Sequence, residues 1–93
     1  MPITFHIPGP LRPFAGGLSQ IDIDSPAANM CQALEALWVQ CPGIRDRVVN
    51  EEGQLREHIN IFVGTENIRD TGDFSTPVSP DAEISILPAI SGG

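Results

Sequence analysis

The stretch HINIFVGTENIR at residues 58–69 carries the clearest strand pattern of the chain. Apolar side chains alternate with others over residues 58–63, which is the period of a strand with one buried face. The side chains predicted to face one way are Ile59, Ile61 and Val63, and those predicted to face the other way are His58, Asn60 and Phe62. The glycine at position 64 favours a turn, so ENIR at residues 66–69 is predicted to return as a short strand.

Three further segments show the same alternation. Residues 2–8 and 18–24 are predicted to form an opening hairpin, whose long loop is the turn-rich GPLRPFAGG at residues 9–17. After a predicted loop over residues 70–82, EISILP at residues 83–88 forms the last strand. In that strand Ile84 and Ile86 are predicted to face the core, and Ser85 and Leu87 to face outward.

The segment between the hairpin and the third strand predicts one main helix. Ser25 is predicted to be its N-cap and Pro26 its first residue, and Cys41-Pro42-Gly43 ends it. Residues 44–57 are predicted to be irregular, with at most a short turn around Val48-Val49. The apolar residues at helical spacing are Met30, Leu34, Leu37 and Trp38.

This order of elements predicts an α+β fold. One helix can cover only one face of a sheet, and its crossover from the hairpin to the later strands favours a mixed sheet. The arrangement is the β-grasp, or ubiquitin-like, fold, with a mixed four- to five-stranded sheet and one main helix packed on one face. Residues 1–93 are predicted to be a single domain, in which residues 88–93 form a flexible Gly-Gly C-terminal tail.

The charge balance excludes several classes of function. The net charge is −7, from 12 acidic residues against 5 basic ones, which argues against nucleic acid and against anionic membranes as partners. Protein partners with basic surfaces fit this charge, and so does an acidic surface that contacts only solvent. No apolar run approaches the roughly 18 residues of a membrane span, and the N-terminus lacks a signal-peptide pattern. A cytoplasmic location is therefore expected.

Two cysteines, Cys31 and Cys41, are the only thiols. On one continuous helix they would lie about 15 Å apart along the axis, which is beyond the reach of a disulfide. They are predicted to be buried free thiols. No His/Cys cluster has the spacing of a zinc site, so no metal site is predicted.

The sequence predicts a protein that is not an enzyme. His6 and His58 fall on outward strand positions, and the carboxylate pairs Glu51-Glu52 and Asp70 with Asp73 lie in irregular segments. General acid–base catalysis needs a shaped, partly buried site, which one small sheet and one helix hardly supply.

The two final glycines suggest chemistry at the chain end. A Gly-Gly tail has no Cβ atoms and can thread a narrow channel. The α-carboxylate of Gly93 is a poor electrophile until another enzyme adenylates it; a sulfur source can then displace AMP and leave a thiocarboxylate, an ionised sulfur nucleophile. Phe62 and Leu87 are expected to share the outward face as a partner-docking patch, with Arg69 and Arg12 around it. A covering loop, or scattered surface residues, would explain the same pattern.

Four segments carry a resemblance to a known family: IPGPLRPFAGG at 7–17, INIFV at 59–63, ENIR ending in Arg69, and ISILPAISGG at 84–93. The chain resembles the ubiquitin-like sulfur carriers of the MoaD/ThiS group, and most closely their CysO type. The resemblance implies a β-grasp fold, no bound cofactor, and activation by an E1-like adenylating enzyme that uses ATP. It also implies that sulfur is carried on Gly93. The tail residues that it implies insert into a partner are Ala89, Ile90, Ser91 and Gly92.

The resemblance leaves the sulfur acceptor open. The CysO type implies a PLP-dependent, cysteine-synthase-like partner and a zinc metalloprotease that releases the amino acid. The MoaD type implies docking into the large subunit of molybdopterin synthase, and other thio-metabolites are further alternatives. Two alternatives of a different class are a ubiquitin-like protein modifier and a plain binding module in which the Gly-Gly is incidental.

Overall fold

The computed structural model describes residues 2–24 and 26–88, which contain a five-stranded mixed sheet. The strands are β1 (Ile3–His6), β2 (Gln20–Ile23), β3 (Ile59–Val63), β4 (Glu66–Asn67) and β5 (Glu83–Pro88). Their order across the sheet is β2-β1-β5-β3-β4. Only β1 and β5 pair in parallel, and the other neighbours are antiparallel. The predicted mixed sheet is confirmed.

The predicted alternation of side chains along the strands is also confirmed. Phe5, Ile61, Ile84 and Ile86 are fully buried on the core face, whereas Leu87 on β5 is exposed. Apolar side chains at every second position are removed from water together, and burial of each large one contributes about 1.5–3 kcal/mol. This shared burial fixes the register, because a slip by one residue would expose the whole set.

The main helix, α1 (Met30–Gln40), packs its apolar side against the core. Met30, Leu34 and Leu37 are buried, and Trp38 is partly buried against the same cluster. The helix ends before Cys41, as predicted. One helix packed on one face of a mixed sheet is the β-grasp arrangement that the sequence predicts.

The predicted start of α1 is wrong. Pro26 lies outside the helix, and Ser25 lies outside the described residues. The N-cap is Asn29, whose side-chain oxygen accepts a hydrogen bond from the Gln32 amide at 2.9 Å. Residues ahead of the helix pair instead with a later loop, since the Met30 amide donates to the Thr76 carbonyl and the Val78 amide to the Ala28 carbonyl.

Two segments predicted to be irregular are helical. Helix α2 (Pro42–Val48) follows α1 directly, and residues 9–17 contain a 3-10 helix, Gly9–Ala15. Each buries residues four positions apart, which places them on one side of a helix. The buried residues are Ile44 and Val48 in α2, and Leu11 and Ala15 in the 3-10 helix.

The predicted strand ENIR is wrong in its second half. β4 has only two residues, and the chain then enters the short helix α3 (Ile68–Thr71). Asn67 starts this helix, because its side-chain oxygen accepts a hydrogen bond from the Arg69 amide at 3.0 Å. Ile68 becomes fully buried as a result. A second 3-10 helix, Asp73–Ser75, lies in the segment predicted to be a loop.

The cysteines are free, as predicted, but Cys31 is exposed rather than buried. It lies on the solvent side of α1, one residue after the buried Met30. Cys41 is partly buried at the junction of α1 and α2, and this burial raises the pKa of its thiol. Within residues 2–24 and 26–88, no helix has the length and apolar character to cross a membrane.

Candidate functional site

The structure places the strand that leads into the predicted reactive tail in the middle of the sheet. β5 lies between β1 and β3 and buries Ile84 and Ile86 completely. Its pairing with β3 continues to its last residue, where Pro88 lies opposite Ile59. The tail residues predicted from the sequence lie outside the described residues: Ala89, Ile90, Ser91, Gly92 and Gly93. The site that can be described is therefore the strand end and the surface around it.

Phe62 and Leu87 lie on the same face of the sheet. Leu87 is opposite Asn60 and Phe62 is opposite Ser85 in the β3–β5 register, which makes Phe62 and Leu87 diagonal neighbours within reach of each other. Leu87 is 47% exposed, and Phe62 is half-buried. The two side chains form a small apolar contact surface beside the strand end. Their role in docking stays a prediction.

The rest of this face is polar and becomes acidic away from Leu87. Thr4 donates a hydrogen bond to Asp22 at 3.1 Å, and His6 Nε2 lies 3.1 Å from a carboxylate oxygen of Glu83. Asp22 and Glu83 both lie opposite Thr4 in the strand registers. The face therefore changes from carboxylates at one end of β5 to an apolar side chain at the other.

Arg69 lies beside the start of β3, next to Leu87's partner. Its Nη2 donates to the carbonyls of Arg56 and Ile59, both at 2.7 Å, and its Nε donates to Asn60 Oδ1 at 3.3 Å. The bond to Ile59 is partly buried and the bond to Arg56 is exposed. The structure thus places Arg69 near the docking surface, with two of its three guanidinium nitrogens engaged inside the chain.

Arg12 approaches Leu87 from the other side. Its Nε donates to the Ile7 carbonyl at 3.1 Å, which holds it just beyond the end of β1. Arg12 and Leu87 line one shallow depression, together with His6, Ser85 and their neighbours. Arg12 and Arg69 therefore flank the end of β5, one on the β1 side and one on the β3 side.

Asn60 and Asn67 are site residues that sequence reasoning missed. Asn60 Oδ1 accepts from Arg69 and also lies 3.4 Å from the donating Asn67 Nδ2. Both asparagines read as ordinary outward residues in a strand. The only available signal was Asn67 itself, because asparagine before a helical turn is a common cap.

The described residues offer a docking surface rather than a reaction centre. Across residues 2–24 and 26–88, no three His, Cys, Asp or Glu side chains are grouped to hold a metal ion. What the geometry can do is hold the end of β5 in a fixed position and present Leu87, Phe62 and two arginines around it.

Comparisons with known proteins agree with this fold and size. A model described as the ThiS family matches residues 5–93. Sulfur carrier protein CysO of Mycobacterium tuberculosis (strain ATCC 25618 / H37Rv) is 30% identical over 95 aligned positions, which cover 100% of both proteins. The chain therefore has the same extent as this curated relative.

Two solved structures are similar over nearly their whole length. A chain of the Amycolatopsis orientalis BexX/CysO complex has a TM-score of 0.87 and 31% identity, and the match covers 98% of this chain and 99% of that one. The crystal structure of Mycobacterium tuberculosis CysO has a TM-score of 0.85 and 28% identity, with 95% and 99% covered.

Proposed function

Since the chain belongs to the ThiS family, we propose that it is a sulfur carrier whose reactive group is the C-terminal carboxylate of Gly93. The family resemblance rests on the Gly-Gly end and on the strand before it. Curated relatives over the full chain length bear the name sulfur carrier protein CysO. The protein is a carrier and co-substrate, and its partners perform the catalysis.

The proposed chemistry has two steps. An E1-like enzyme transfers AMP from ATP to the Gly93 carboxylate, and pyrophosphate leaves. A sulfur source then attacks the acyl adenylate, AMP leaves, and a thiocarboxylate remains at the chain end. The thiocarboxylate is ionised at neutral pH and nucleophilic, as low-pKa sulfur acids are. ATP belongs to the partner enzyme, and the carrier holds no cofactor of its own.

One observation of the structure supports this proposal above the others: the strand before the Gly-Gly end is a central strand with an open outward face. Ile84 and Ile86 anchor β5 in the core, and Leu87 stays 47% exposed beside the strand end. A partner that docks on Leu87 and Phe62 would therefore meet the chain end at a fixed starting point. Productive geometry of this kind lowers the entropic cost of the reaction.

For the sulfur acceptor we favour cysteine-type synthesis. The proposed partner is a PLP-dependent, cysteine-synthase-like enzyme, followed by a zinc metalloprotease that releases the amino acid. The CysO names of the relatives support this choice, and the neighbour solved as a BexX/CysO complex supports binding to a partner protein. Transfer to the large subunit of molybdopterin synthase is the alternative acceptor. A cytoplasmic location is part of the proposal.

The test is the intact mass of the protein after co-expression with its E1-like enzyme and a sulfur source. The expected result is a mass increase equal to the exchange of one oxygen for sulfur. The matched control is a chain without Gly92-Gly93, which is expected to show no increase. If the full chain keeps its mass while the adenylating enzyme is active on another carrier, the proposal is wrong.

A second measurement identifies the acceptor. The thiocarboxylate form is incubated with the cysteine-synthase-like enzyme and its amino-acid substrate, and the mass of the carrier is taken again. An increase by one cysteine residue supports cysteine-type synthesis. Consumption of the thiocarboxylate only by the large subunit of molybdopterin synthase would contradict it.

A further inference from the structure

The start of β3 has no strand beside it on its outer edge. β4 pairs only with Phe62 and Val63. The Gly64 amide donates to the Glu83 carbonyl at 2.9 Å, and hydrogen-bonded pairs recur at every second residue of an antiparallel ladder. Asn60 therefore bonds to Leu87, while the backbone groups of Ile59 point away from β5. Ile59 needs partners on a side that β4 does not reach.

Arg69 supplies the missing partner. In the β3–β4 register, a longer β4 would place Arg69 opposite Asn60, because Phe62 pairs with Asn67. The chain instead turns into α3, and the Arg69 side chain reaches back to the Ile59 carbonyl at 2.7 Å. The Ile59 amide donates to the Arg56 carbonyl at 3.1 Å, which also accepts from Arg69. The guanidinium thus takes the place of two strand residues.

The end of β5 depends on this edge more than the rest of the strand does. Pairing between β1 and β5 stops at His6 opposite Ser85. Leu87 and Pro88 are paired only with β3, through Asn60 and Ile59. Arg69 contacts both of these β3 residues. A shift of the β3 start would therefore move the point from which the tail leaves the sheet.

We propose that Arg69 is a positioning residue that fixes the end of β5 through β3, rather than a residue that contacts the partner enzyme. This inference rests on the proposed function, because the position matters only if Gly93 must be delivered to another enzyme. Arginine suits the task, since its planar guanidinium can reach two carbonyls and an amide oxygen at once. A lysine at this position keeps the charge and loses that arrangement.

The experiment compares Arg69→Lys and Arg69→Ala with the wild-type full chain. The readout is pyrophosphate exchange by the E1-like enzyme, followed as kcat and KM for the carrier. A mispositioned tail lowers kcat by between about 10- and 100-fold while KM changes little, and lysine does not rescue. If Arg69 contacted the partner through its charge, KM would rise in the alanine variant and lysine would restore it, which would overturn the inference.

A matched control and a second readout complete the test. Arg45→Lys changes an exposed α2 arginine, 3.7 Å from Asp46, and is expected to leave kcat and KM unchanged. Amide hydrogen exchange of Leu87 is expected to accelerate in Arg69→Lys and not in Arg45→Lys. Unchanged exchange at Leu87 would overturn the inference without any adenylation assay. Failure of the wild-type chain to be adenylated would instead count against the proposed function.

The alanine variant is the one at risk of poor folding, so Asn60→Ala provides an independent check. It removes the acceptor of Arg69 Nε and leaves the bonds to both carbonyls. A smaller loss of kcat than in Arg69→Lys is expected. A wild-type kcat in both Arg69→Lys and Asn60→Ala would overturn the inference.

Discussion

Leu87 lies opposite Asn60 in the β3–β5 register, so the exposed apolar side chain nearest the chain end is paired with the amide that binds Arg69. The contact surface and the network that supports it therefore meet at one strand pair. Leu87 and Phe62 provide the apolar part, and Arg12 and Arg69 flank it. This arrangement explains why a small, acidic protein needs no deep cleft for the proposed function.

Replacement of Leu87 by aspartate is expected to weaken binding to the E1-like enzyme without unfolding the carrier. Loss of a central apolar contact costs about 1–2 kcal/mol or more in protein interfaces, which is about tenfold or more in Kd. The measurement is isothermal titration calorimetry. The control is Val39→Asp, because Val39 is 84% exposed on α1. Equal Kd values for the two variants would contradict the docking role of Leu87.

Replacement of Ile84 by alanine is expected to destabilise the whole domain. Ile84 is fully buried in the central strand, and such truncations cost about 2–5 kcal/mol because they remove apolar contacts and leave a cavity. The free energy of unfolding is measured by urea titration. Val39→Ala, a surface change, is expected to stay within about 0.5 kcal/mol of wild type. A similar small effect for Ile84→Ala would show that β5 is not part of the core.

Replacement of Asn29 by alanine tests the observed start of α1. The Asn29 side chain accepts the Gln32 amide, and loss of such a cap costs about 1 kcal/mol of stability. The change is followed as a lower urea midpoint with an unchanged slope. Gln40→Ala, an exposed change at the last residue of the helix, is the control. No difference between the two variants would disagree with Asn29 as the cap.

Cys31 is expected to react with iodoacetamide faster than Cys41. Burial raises the pKa of the Cys41 thiol, so less thiolate is present at a given pH, whereas Cys31 is exposed. Peptide mapping by mass spectrometry at mildly alkaline pH gives the two rates. Earlier labelling of Cys41 would contradict the observed burial.

The same raised pKa sets the sign of a pH dependence. The folded state holds the Cys41 proton more tightly than the unfolded state does, so its contribution to stability is lost as pH rises above the unfolded pKa of about 8.5. Cys41→Ser is expected to reduce this alkaline loss of stability in urea titrations. An identical alkaline slope in the variant and the wild type would argue against it.

The strands were predictable because their pattern is local. Alternation along β1, β3 and β5 follows from burial of one face, and each segment carries that pattern in its own residues. The helix start was not predictable in this way. Ser25-Pro26 is a good local signal, but hydrogen bonds between residues 28–30 and 76–78 hold the preceding chain in another conformation. Those partners lie almost fifty positions away and leave no mark on the local sequence.

The sequence by itself determined the outward position of Leu87, the Gly-Gly end and the family to which the chain belongs, since these depend on side-chain period and on residues that are adjacent in the chain. Only the tertiary structure decided what Arg69 does. Its bonds to Ile59 and Asn60 exist because β4 stops after two residues and α3 turns the guanidinium back toward β3. A buried Ile68 stabilises that turn, and burial is settled by the packing of the whole domain.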